Sequence, residues 1–225
     1  MDAPTDPDAA APAAAASGDD LPQQPARRRW GAGWVAAALT VGLLVGVAVG
    51  LLVPVLRTPG DDSVEAGFLR DMSTHHAQAV EMSMIAHANS TNPDIVTLSN
   101  DIALTQHQQI GYMQAWLRDW GLSPTSSQPP MAWMPDSAGS LVNGLMPGMA
   151  TPDQIAALRK ATGKDLDIQY LTLMRAHHLG GLHMAQTVID SSDNDDVVWL
   201  AKTMVSGQQS ELALINQMLA QLQQA

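Results

Sequence analysis

An internal duplication constrains this chain more than any other feature. Shifted by 102 residues, Phe68-Leu69-Arg70-Asp71-Met72-Ser73-Thr74-His75-His76 falls on Tyr170-Leu171-Thr172-Leu173-Met174-Arg175-Ala176-His177-His178. At the same shift Met82 meets Met184, and Gln106, Gln109, Ile110 and Leu117 meet Gln208, Glu211, Leu212 and Leu219. One offset holding over separated segments means that the two halves share one supersecondary unit. The periodicity identifies that unit. Phe68, Met72, His75, Ala79, Met82 and Ala86 recur at spacings of four and three, which is one face of an α-helix. Each half is therefore expected to be a helix pair, and two pairs make an all-α four-helix domain.

Local signals place the boundaries. Asn92 and Pro93 supply a cap and a first-turn proline for a second helix, expected to run to Trp120 and stop at Gly121. Its inner face reads Ile102, Gln106, Ile110, Met113 and Leu117. Residues 122–150 are rich in proline, glycine and serine and read as a long crossing connection. Thr151-Pro152-Asp153-Gln154 is a capping box that opens a short helix ending near Gly163. The third long helix is expected from Asp165 to about Asp190, and the fourth from Asp195 onward. No stretch alternates as a strand would. The first half thus spans 60–121 and the second 151–225, inside a domain of 58–225.

Ahead of that domain, Trp30 to Leu56 carries no charge, with Arg27-Arg28-Arg29 before it and Arg57 after. A bilayer core needs ~20 apolar residues in a helix, so 30–57 is expected to be a transmembrane anchor. The arginine excess places residues 1–29 in the cytoplasm and the C-terminal domain outside, in the periplasm or beyond it. A cleaved signal peptide is the rival reading, but its apolar region should be only ~7–15 residues. Residues 1–26 are mostly Ala, Pro and Asp and cannot bury enough surface to order, so a disordered tail is expected. Gly42, Gly46 and Gly50 recur every four residues and offer a close-packing stripe for a homodimer, although a lone anchor needs no such role.

Composition removes several functions. There is no cysteine, so disulfides, thiolate zinc sites, iron–sulfur clusters and cysteine nucleophiles are excluded. The 11 Lys and Arg against 22 Asp and Glu leave no basic patch for nucleic acid. No Gly-rich phosphate loop or Gly-x-Ser-x-Gly elbow is present, and no residue is assigned a catalytic role. Glutamate is scarce: only Glu65, Glu81 and Glu211 occur, and there is no Glu-x-x-His. A di-iron carboxylate bundle is thereby excluded.

Methionine and histidine carry what chemistry remains. On a wheel of ~100° per residue, Met72, His75, Ala79 and Met82 share one stripe, and Met174, His177, Gly181 and Met184 share its repeat. His76 and His178 lie at the flank. A core imidazole must be hydrogen-bonded or ligated, which leaves two readings. In the first, the methionines are core filler, and Gln106 and Gln208 satisfy the rings of His75 and His177. In the second, Met72, His75, His76, Met82, Met174, His177, His178 and Met184 bind a soft metal ion, with Gln106 and Gln208 orienting the rings. Thioether and imidazole together favour Cu(I), whereas imidazole alone also accepts Cu(II) or Zn(II). His183 replaces Glu81 in the repeat and adds a ligand candidate beside Met184. His87, His107 and His183 all lie off the inner stripe and read first as surface residues. Met131, Met134, Met146 and Met149, in the connection, either capture Cu(I) or pack the connection onto the domain.

The segments around both His-His pairs, with Gly-Met-Ala-Thr-Pro-Asp-Gln-Ile-Ala-Ala-Leu between them, resemble the family of domains of unknown function numbered 305. The resemblance covers roughly residues 60–222. It implies an exported, ferritin-like four-helix bundle, and some members are associated with copper. It supports Met72, His75, His76, Met174, His177 and His178 as motif residues. Where the family often carries an acidic residue after the second His-His pair, this chain has Leu179-Gly180-Gly181. The expected function is therefore a membrane-anchored, extracytoplasmic, non-enzymatic protein that binds copper for sequestration or handover. The alternative is a structural or assembly subunit docking on a membrane protein complex.

Overall fold

The computed structural model describes residues 31–135 and 141–224. The expected disordered tail falls outside them. The chain divides into two units at Pro54 and Val55.

Helix α1 spans Ala32–Arg57. Its segment Ala32–Leu52 has a mean hydropathy of 2.5 and is long and apolar enough to cross a membrane. Its large side chains, Trp34 and Leu39 through Leu52, are exposed. A Cβ added at Gly42, Gly46 or Gly50 would meet nothing within 4 Å.

The second unit contains α2 (Val64–Asn89), α3 (Pro93–Asp119), α4 (Pro152–Lys160), α5 (Gly163–Ser191) and α6 (Asp195–Gln224). Among the described residues there is no strand, only an isolated bridge between Val142 and Leu145. The caps are those the sequence announces. Asn92 accepts from the Asp94 amide with Pro93 at the first position, and the Thr151–Gln154 box is closed from both sides. Gly121, at φ +72°, ends α3 with the Leu122 amide reaching back to the Leu117 carbonyl. The start of α5 differs by two residues from expectation, because Gly163 at φ +56° turns the chain sharply into the helix.

Helix α2 packs on α3 and α5 on α6, and the two hairpins meet through α2 and α5. These central helices run antiparallel: Glu65 pairs with Ser192, His75 with His177, Ser83 with Tyr170 and Ser90 with Asp167. The duplication becomes a pseudo-twofold. Ser90, just past the end of α2, donates to Asp167 at the start of α5. Its repeat, Ser192 just past α5, donates to Glu65 at the start of α2. Asn92 and Asn194 then cap α3 and α6 in turn.

The connection breaks this symmetry. Met131, Met134 and Met146 are buried in the apolar cluster of α2, α3, α5 and α6, so these methionines pack the connection down. Asp71 fastens it by accepting from the Met131 amide and from the Trp133 indole. Gln78 exchanges two hydrogen bonds with the Ala150 backbone, at 2.9 and 2.7 Å.

Candidate metal centre

The inner stripe is as expected. Met72, Met82, Met174 and Met184 are fully buried, and His75 and His177 are 1% exposed. The two rings stack with centroids 3.7 Å apart at 33°. Antiparallel packing then distributes the sulfurs between the repeats. Met72 lies in one apolar cluster with Met184, and Met82 in the other with Met174. Each repeat thus contributes one methionine on either side of the histidine level.

The flank is where structure and expectation part. His76 and His178 are wholly buried, because α3 and α6 close over them. Nor do Gln106 and Gln208 serve the rings. One turn further along, Gln109 Oε1 accepts from His76 Nε2 at 2.8 Å, and Glu211 Oε2 accepts from His178 Nε2 at 2.5 Å. His75 Nε2 donates to the Pro147 carbonyl and His177 Nε2 to the His75 carbonyl, both at 3.0 Å. The repeat itself contained the signal for Gln109 and Glu211, since both align at the same offset. His183 is exposed, on the outer face of α5 beside the buried Met184 and off the inner stripe, where the periodicity places it. Glu81 is likewise turned outward and pairs with Arg159.

Three of these four Nε2 atoms face partners that can only accept, two backbone carbonyls and a carboxylate, and the fourth faces an amide oxygen. Each Nε2 therefore carries its hydrogen. Burial holds His75 at about 4 and His76 at about 3, and pushes His177 well below its ordinary value, so these three rings are neutral near pH 7. In a neutral ring with Nε2 protonated, Nδ1 is a bare lone pair. The Nδ1 atoms of His75, His76 and His178 are buried without a hydrogen-bond partner, as are both amide atoms of Gln106 and Oε1 of Gln208. Buried polar atoms normally find partners, so these unpartnered atoms mark the part of the core where further donors or acceptors can be met.

The donor set decides which ion fits. Among the described residues, no group of three or more His, Cys, Asp or Glu forms a metal-holding cluster. A hard or borderline ion needing three such ligands is poorly served. The buried thioethers and imidazoles are donor types that a soft ion accepts.

Glycines near the His177-His178 pair have a packing reason. A Cβ at Gly180 would lie 1.9 Å from the Pro147 carbonyl oxygen, and one at Gly148 would lie 2.1 Å from the Ala176 oxygen. Both glycines let the connection press onto α5, where Pro147 receives His75. A Cβ at Gly181 would lie 2.7 Å from Gln208 Oε1, so that glycine admits the buried amide.

The second unit is thus a duplicated all-α bundle with a closed histidine and methionine core. The chain belongs to the DUF305 family of domains of unknown function, whose family model matches residues 65–219. A DUF305 protein of Streptomyces coelicolor shares 42% identity with a TM-score of 0.68, over 72% of this chain and 96% of that one. A DUF305 fragment from Deinococcus radiodurans shares 28% identity with a TM-score of 0.59, over 70% and 96%. CopM in its Cu(II)-bound form has the same fold at 19% identity and a TM-score of 0.56, over 71% and 97%. No curated protein matches the chain.

Proposed function

We propose that this protein is a membrane-anchored, extracytoplasmic copper-binding protein, without enzymatic activity, that holds Cu(I) for sequestration or handover. The observation that carries the reading is that His75 and His76 are buried neutral rings, each with Nε2 held by an acceptor and its Nδ1 lone pair without a partner. Met72 and Met184 on one side of the histidine level, and Met82 and Met174 on the other, supply the soft donors. CopM, which shares the fold, has been solved with Cu(II), Cu(I) and silver bound, and these are the ions such a donor set would take. The apolar helix α1 and its arginine flanks support anchoring, with the bundle on the outer side. The secreted-protein relative from Streptomyces coelicolor supports export.

Titration of the full chain in detergent with Cu(I), against a chromophoric chelator, tests the reading. Replacing Met72, Met82, Met174 and Met184 by leucine removes the sulfurs while nearly conserving volume, so the fold should persist. Uptake is expected to fall at least tenfold. Unchanged uptake would leave the methionines as core filler and favour the structural or assembly role, which predicts copurification with a membrane complex at fixed stoichiometry.

A further inference from the structure

The pseudo-twofold is broken at one charge. His76 and His178 are repeats of each other, both wholly buried, and each is held through Nε2 by the residue 33 positions further on. Behind His76 stands a neutral amide, Gln109. Behind His178 stands a carboxylate, Glu211, with its side chain 21% exposed. Both rings turn an unpartnered, buried Nδ1 away from that contact.

Building on the copper-binding reading above, we propose that Glu211 is a positioning residue that makes the two repeats unequal, so that the His178 side takes up a monovalent soft cation before the His76 side. Two effects act in the same direction. A carboxylate accepting from the far nitrogen of a ligating imidazole fixes the ring and raises its donor strength, and an amide does so less. Charge is the larger matter. A cation entering a closed core needs a compensating charge, because an unpaired buried ion is costly. On the His178 side the Glu211 carboxylate supplies one charge of the opposite sign. On the His76 side Gln109 supplies none. The duplication therefore gives two similar imidazole positions of graded affinity, as a protein that both retains and hands on an ion requires.

The test titrates the full chain in detergent with Cu(I) and follows the imidazole nitrogens of His76 and His178 by NMR during a matched Ag(I) titration. Two uptake steps are expected, about 10–100-fold apart, with His178 responding first. Glu211→Gln should weaken the first step by a similar factor and bring the two together. Gln109→Glu should strengthen the His76 step, a gain that loss of a merely structural contact cannot produce. Exchanging both should reverse the order in which the rings respond. Binding with steps and order unmoved by either exchange would overturn this inference and leave the copper reading intact. A wild-type chain that takes up neither ion would overturn both.

Discussion

At the scale of single residues, space and protonation set the behaviour of the core. Gly180 and Gly181 are neighbours with different tolerances. A methyl group at Gly180 collides with backbone at Pro147, whereas at Gly181 it meets the far end of the Gln208 side chain, which can swing away. Gly180→Ala should therefore cost about 1–3 kcal/mol or more, and Gly181→Ala clearly less, as measured by denaturant unfolding. Equal costs would mean that the connection is not seated on α5 as described. The buried histidines give a sign for pH dependence. Their folded values lie below the ordinary 6.5, so the unfolded chain binds protons first as pH falls. The stability they contribute is complete above pH 6.5 and is lost progressively toward about 4 and 3 for His75 and His76. Each ring that protonates only on unfolding contributes a slope of about 1.4 kcal/mol per pH unit. Melting temperature should fall steadily between pH 6.5 and 4, and a flat profile would show that the rings are not buried neutral.

At the scale of elements, the duplication recurs as matched caps and matched staples. Asn92→Ala and Asn194→Ala should each cost about 1 kcal/mol, since each removes the acceptor for a first-turn amide. Ser90→Ala and Ser192→Ala cut the two serine–carboxylate bonds that tie one hairpin to the other, and each should cost about 1–2 kcal/mol. Double-mutant cycles of Ser90 with Asp167 and of Ser192 with Glu65 should return similar coupling energies. Strongly unequal couplings would show that the pseudo-twofold is not an energetic symmetry. The connection gives His75 the Pro147 carbonyl, whereas His177 bonds to the His75 carbonyl on α2, so the two repeated rings find different carbonyls.

For the whole molecule, an ion that binds only the folded bundle must raise its stability by mass action. Cu(I) or Ag(I) at 100 times its dissociation constant should add about 2.7 kcal/mol per independent site, visible as a higher melting temperature. A melt unaffected by either ion would remove the proposed function. Much of the architecture could be read along the chain. The offset of 102, the three-and-four spacing of Met72, His75 and Met82, and the caps at Asn92 and Thr151 are local or repetitive, and such signals survive without knowledge of packing. The stripe residues were legible for the same reason, because one helix face must be buried. What could not be read was which side chains meet across helices. A helical wheel assigns His76 and His178 to a flank, and only the closure of α3 and α6 over them makes that flank interior. Gln106 and Gln109 lie one turn apart on α3, so the choice of Gln109 as the partner of His76 depends on how α2 and α3 are set against each other. The seating of Pro147 against Gly180 is likewise a consequence of interhelical distance. Periodicity is a property of the chain and fixes which faces turn inward; the hydrogen-bond partners of the buried rings depend on the separation and rotation of neighbouring helices, which arise only when the hairpins pack.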